Sequence, residues 1–196
     1  MSRRLCLAIL HPAAGSFNHA LGAAYAEGAA AAGHDLRLHD LSAMRFDPDF
    51  GASDFSAPKP LEPDLARFMD DLAWAQHLVM VAPMWWGGLP AKAKGLIDRA
   101  FLPGLAFDPE LRRYGVPRPL LAGRSARLIL TSDTPAVVFR WMYGQPLRRM
   151  IGRQVLDFVG IRPMAFTHLS PIEGSTPARR EGWRAQMQAL GAAAGA

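Results

Sequence analysis

The chain has 196 residues, half of them hydrophobic and 20% charged, which is enough for one domain with a sizeable core and argues against disorder. The formal net charge of +5 favours phosphate-bearing partners, but the arginines are dispersed, so a dedicated nucleic-acid patch is not expected. The single cysteine, Cys6, allows no internal disulfide, and no apolar run is long enough for a signal peptide or a bilayer span, so a cytoplasmic protein with no integral membrane segment is expected.

Residues 4–10 form a short apolar run that ends in a turn, the pattern of a buried strand, with Cys6 inside it as a small hydrophobe. The Ala-rich stretch 18–32 predicts a helix that stops at Gly33. Residues 35–41 alternate weakly and predict a second strand; 44–60 collect Pro, Asp, Gly and Ser and predict a long loop. Apolar residues at Leu61, Leu65, Phe68, Met69, Leu72 and Ala75 mark a helical face. Residues 77–82 are a continuous apolar strand of the kind found in parallel sheets covered on both faces.

A helix is expected over 91–101, with Pro90 at its start. Residues 103–123 read as a Pro/Gly/Arg-rich loop, 126–130 as a fourth strand, 147–159 as a helix entered at Pro146, 161–169 as a fifth strand and 176–190 as a closing helix. Strand and helix alternate through one domain, residues 1–196, which implies a doubly wound parallel sheet. Ligands of such sheets bind outside the carboxyl ends of the strands, so sites are expected after the first, third and fourth strands.

The turn after the first strand reads HPAAGSFN, residues 11–18. It lacks the GxGxxG and GxxxxGK[ST] patterns, yet it sits where a helix N-terminus presents unpaired N–H groups to an anion. Ser16 and Asn18 offer side-chain donors and His11 an imidazole N–H; alternatively Ser16 is only the cap of the helix. The turn after the third strand, PMWWGGLP at 83–90, places two tryptophans in a Gly/Pro setting. At least one ring should be exposed, as a stacking surface for a flat partner or as part of an interface.

Residues 83–107 then carry a specific resemblance. They are similar to the flavodoxin-like NAD(P)H:quinone oxidoreductases of the DT-diaphorase family, matching the pattern P-x-x-W-x-G-x-P-A-x-x-K-G-x-x-(D/E)-R-x-F at Pro83, Trp86, Gly88, Pro90, Ala91, Lys94, Gly95, Asp98, Arg99 and Phe101. The family's first turn, H-P-x-x-x-S-F-N-x-A, is matched at His11, Pro12, Ser16, Phe17, Asn18 and Ala20. The resemblance implies an α/β flavodoxin-like fold whose five parallel strands lie in the order 2-1-3-4-5. It implies FMN, or alternatively FAD, as cofactor, with NAD(P)H as co-substrate, a quinone or similar acceptor, and a homodimer.

By the same resemblance, the N–H groups of Phe17 and Asn18 and the side chains of His11 and Ser16 hold the flavin phosphate. Pro83, Met84, Trp85, Trp86 and Gly87 hold the isoalloxazine edge, partly through backbone groups, and Thr131, Ser132 and Asp133 line the pyrimidine side. Trp85, Trp86 and Phe107 wall the slot where hydride passes through flavin N5. No protein nucleophile is implied, and no metal site, since the histidines lack ligand spacing. The third turn departs from the family: Asp133 and Thr134 stand where two glycines are usual, and Phe139 where a Tyr is usual. Asp133 then either caps the following helix or lowers the flavin potential. A second function is also implied by some relatives, that of a regulatory flavoprotein subunit of a potassium-efflux-type transporter.

Overall fold

The computed structural model describes residues 2–51, 53–54 and 58–194. In chain order the elements are β1 (Arg4–Ile9), α1 (Phe17–Ala31), β2 (Asp35–Asp40), α2 (Pro63–Trp74), β3 (His77–Pro83), α3 (Ala91–Ala100), β4 (Phe107–Arg113), β5 (Val116–Pro119), β6 (Arg124–Thr131), α4 (Pro146–Arg149), α5 (Asp157–Val159), β7 (Ile161–Leu169) and α6 (Pro177–Ala192). Two π-helical segments, Val138–Met142 and Met150–Leu156, flank α4.

Side chains alternate across the central strands. Leu5 and Leu7 of β1 enter one core with Val79 and Val81 of β3, while Cys6 and Ala8 enter the other with Leu78, Met80 and Ala82. Burial on both faces is why these strands read as unbroken apolar runs. The sheet order is β2-β1-β3-β6-β7, with every pairing parallel. Counted by sheet strands alone this is the expected 2-1-3-4-5. The numbering shifts because β4 and β5 form a separate antiparallel hairpin.

That hairpin corrects the reading of 103–123 as loop. It turns through Tyr114 and Gly115, both at positive φ, between the paired Arg113 and Val116. Prolines at both strands and a bulge between Asp108 and Arg112 break the alternation that would have signalled it. The helix expected at 147–159 is likewise interrupted. Its buried residues Leu147, Ile151 and Leu156 recur at spacings of four and then five, and the wider step is a π turn.

Helices α2 and α3 and the chain from Phe139 to Val159 cover one face; α1 and α6 cover the other. The α1–α6 crossing is close enough that a Cβ on Gly28 would lie 1.9 Å from the Gln188 carbonyl oxygen. This contact fixes α1, and hence the turn that precedes it, against the closing helix. Cys6 is wholly buried, and burial pushes its thiol pKa up, which keeps it inert. Among the described residues, no helix is long and apolar enough to cross a membrane.

Candidate functional site

The connections after β1, β3 and β6 meet at one rim of the sheet. Leu10 N–H donates to the Val81 carbonyl at 2.8 Å and Met84 N–H to the Thr131 carbonyl at 2.8 Å, so the three strand ends are tied side by side. Thr131, buried, donates its hydroxyl to Asn18 Oδ1 at 3.1 Å, which pins the start of α1 to the end of β6. Asn18 therefore turns its side chain inward, and only its backbone is left to face a ligand.

Ser16 takes the N-cap position of α1 with extended backbone but makes no side-chain cap bond, which rules out the simple cap reading. Its Oγ instead lies 2.8 Å from His19 Nδ1, and His19 Nε2 lies 3.1 Å from Asp40 Oδ1 at the end of β2. The first turn of α1 carries no acidic residue. The His19 N–H donates to the Ser16 carbonyl at 2.9 Å, but the positive end of α1 meets no side-chain capping oxygen and no neutralising charge from its own first turn. Gly15 has positive φ, and a Cβ there would meet nothing within 4 Å, so the approach to the turn is open.

The second turn is a two-residue hairpin. Trp85 N–H donates to the Gly88 carbonyl and Gly88 N–H to the Trp85 carbonyl, both at 2.9 Å, with Trp86 and Gly87 at φ of 51° and 77°. A bulky residue in the left-handed region is strained, and such strain gathers at ligand sites. The expected edge-binding groups are partly spent: the N–H groups of Met84 and Trp85 are both engaged within the chain, which leaves those of Trp86 and Gly87 at the tip. Trp85 is half exposed and Trp86 wholly so. Trp85 stands edge-on to His11, ring centroids 5.6 Å apart, and this contact joins the first two turns.

In the third turn Ser132 is buried, with Oγ 2.8 Å from His168 Nε2. Burial holds the His168 pKa below its ordinary value, so the ring stays neutral. Asp133 does not cap the helix that follows. Its Oδ1 accepts the N–H groups of Ile172 at 3.0 Å and Glu173 at 2.5 Å, so the carboxylate is turned onto the loop after β7. Phe139 is fully buried against Phe166 and His168 and supplies no polar group where the family places a Tyr.

Phe107 is not brought to the tryptophans within one chain. It packs on Phe158 at 5.1 Å and lines an apolar cleft of about 380 Å³ with Ile97, Phe101 and Val155. Sequence reasoning missed His19 and Asp40. The signal for His19 was its position three residues after Ser16, one helical turn along; nothing local marks Asp40 as its partner. Among the described residues, no three His, Cys, Asp or Glu side chains cluster as a metal site.

The residues fit a phosphate at the uncapped start of α1 and a flat ring beside Trp85. Residues 4–191 match the family described as flavodoxin-like fold. The FMN-dependent NADH:quinone oxidoreductase of Ruegeria pomeroyi is 28% identical over 146 residues, 70% of this chain and 70% of that protein. The NAD(P)H dehydrogenase (quinone) 1 of Cavia porcellus is 29% identical over 124 residues, 54% of this chain but only 45% of that protein, so this chain spans less than half of its length. Among solved structures, Smu.1420 from Streptococcus mutans superposes with a TM-score of 0.82 at 25% identity over 96% of this chain and 98% of that one. The NAD(P)H:quinone oxidoreductase of Methanothermobacter marburgensis does so with a TM-score of 0.78 at 22% identity, over 98% and 96% of the two chains, a likeness of fold.

Proposed function

Because this chain belongs to the flavodoxin-like fold family, we propose that it is an FMN-dependent NAD(P)H:quinone oxidoreductase, a single-domain cytoplasmic enzyme that works as a homodimer by a ping-pong cycle. The observation that carries the reading is the pairing of an uncapped α1 N-terminus with two accessible indoles, joined through the His11–Trp85 contact. An anion site beside an aromatic platform suits a phosphate-tailed ring system. FMN is favoured over FAD by the relative named as FMN-dependent.

When bound, FMN supplies a hydride acceptor for NAD(P)H and a hydride donor for the quinone. The chain's part is to hold and orient. The N–H groups of Phe17 and Asn18, with the side chains of Ser16 and His11, take the phosphate. Pro83, Met84 and the tip N–H groups of Trp86 and Gly87 set the ring edge, and Thr131 and Ser132 border the pyrimidine side. Asp133, turned onto the loop after β7, keeps its charge off the ring. Trp85 and Trp86 wall the slot, and Phe107 is contributed by the second copy, since within one chain it lines a separate cleft.

The test is an absorbance titration of the purified protein with FMN, followed by NADH or NADPH and then a soluble quinone. Uptake of FMN, bleaching by the nicotinamide and recovery on quinone addition are expected. A protein that takes up no flavin overturns the proposal.

A further inference from the structure

Resting on that reading of the phosphate site, we infer that His19, anchored by Asp40, is the proton switch that turns Ser16 into a phosphate donor, so that FMN binds together with one proton. The argument is a hydrogen-bond inventory. Asp40 Oδ1 accepts Ser42 N–H at 2.9 Å, Ser42 Oγ–H at 2.7 Å and faces His19 Nε2 at 3.1 Å. Burial raises the Asp40 pKa, but the bonds from Ser42 and His19 more than offset this and hold it below the ordinary carboxylate value. Asp40 is thus an ionised acceptor, and the hydrogen of the His19 ring sits on Nε2.

The lone pair of a neutral ring then sits on Nδ1 and accepts the hydroxyl proton of Ser16 at 2.8 Å. In that arrangement Ser16 presents only lone pairs outward. A phosphate oxygen is also an acceptor, and two acceptors in contact repel. Ser16 can donate to phosphate only if it accepts from Nδ1, and that requires a second hydrogen on the ring. The proton comes from solvent and no covalent bond other than N–H is formed. The imidazolium adds a positive charge behind the phosphate at the start of α1, and the Asp40 carboxylate stabilises it from the other side. The other titratable ring beside His19 is His11, edge-on with centroids 6.2 Å apart; its Nδ1 lies 2.8 Å from the Ala13 carbonyl. His19 is therefore a positioning residue that also sets the preference for a phosphorylated flavin.

Calorimetric titration of the full chain with FMN and with riboflavin, each in two buffers of different ionisation enthalpy between pH 7 and 9, tests this. The phosphate is dianionic across that window, its second pKa being about 6. FMN should take up protons approaching about one per site as pH rises, with affinity weakening by up to about tenfold per pH unit. Riboflavin should bind without proton uptake. H19Q should bind FMN more weakly with neither uptake nor pH dependence, and D40N should show reduced uptake should H19Q fail to fold. FMN binding without proton uptake, or uptake that persists in H19Q, overturns the switch and leaves the functional proposal standing. Failure of the chain to bind FMN and riboflavin alike overturns both.

Discussion

The connection at 44–62 is long and fastened at Met44, Asp47, Pro60 and Glu62, whereas the turn at 85–88 is short and bare. Arg99, with its side chain wholly buried on α3, donates to the carbonyls of Asp47 at 2.5 Å and Pro60 at 3.0 Å and to both oxygens of Glu62 at 3.1 and 2.9 Å. Lys92 adds a bond to the Met44 carbonyl at 2.7 Å. The turn at 85–88 spends its outer N–H and C=O groups on itself and leaves the Trp86 indole in solvent and that of Trp85 half exposed. Loop length, then, does not measure availability for binding. What matters is which groups the rest of the chain has already satisfied, and here the short turn keeps the unclaimed surface.

The most forceful way to break this contrast is R99M. Removing the buried guanidinium takes a donor from two carbonyls and from Glu62, whose carboxylate is partly exposed and keeps the Asp47 N–H, and a loss of about 3 kcal/mol in denaturant unfolding is expected, with faster proteolysis inside 44–62. A loss under about 1 kcal/mol would mean that the long connection is held by other contacts.

Acid probes the frame that both connections share. His77 opens β3, is 3% exposed, and burial together with nearby Arg127 and Arg3 pushes its pKa from the ordinary 6.5 down to about 4. The unfolded ring takes up a proton near pH 6.5 and the folded ring only near pH 4. The stability that His77 contributes is therefore fully present above 6.5 and is lost as pH falls towards 4, by up to about 3 kcal/mol. Urea titrations of wild type and H77Q across this range should diverge accordingly; parallel curves would reject the assignment.

At the bare turn the expected signs are opposite for stability and function. W86N places the residue pair favoured by this hairpin type at the tip and should stabilise the fold by about 1 kcal/mol. The same change removes a slot wall and should lower kcat/KM for a quinone by about tenfold. Equal activity in W86N would show that Trp86 serves something other than the slot. The smallest effect is expected at the third turn. D133A loses two bonds to exposed N–H groups, about 1 kcal/mol, and should leave the flavin midpoint potential where it is. A positive shift would show that the carboxylate does act on the ring.

Much of the fold was legible because burial leaves a local trace. The five sheet strands, α1, α2, α3 and α6 announced themselves through runs and periods set by which face is covered. The hairpin β4–β5 did not, since prolines and a bulge erase its alternation, and the π turns did not, since a five-residue step still looks helical. At the site, the turns themselves could be found from Ser16, Asn18 and the paired tryptophans. The inward aim of Asn18, the outward turn of Asp133 and the separation of Phe107 from Trp85 could not.

The sequence by itself determined the sheet, its covering helices and the three rim turns, because apolar spacing and turn chemistry act over a few residues. Only the tertiary structure decided hydrogen-bond partnership: Ser16 with His19 and Asp40, Thr131 with Asn18, Asp133 with the amides of 172 and 173, Arg99 with a loop far along the chain. A donor carries no record in its own neighbourhood of which acceptor the folded chain will bring to it, so these choices exist only once the strands are side by side.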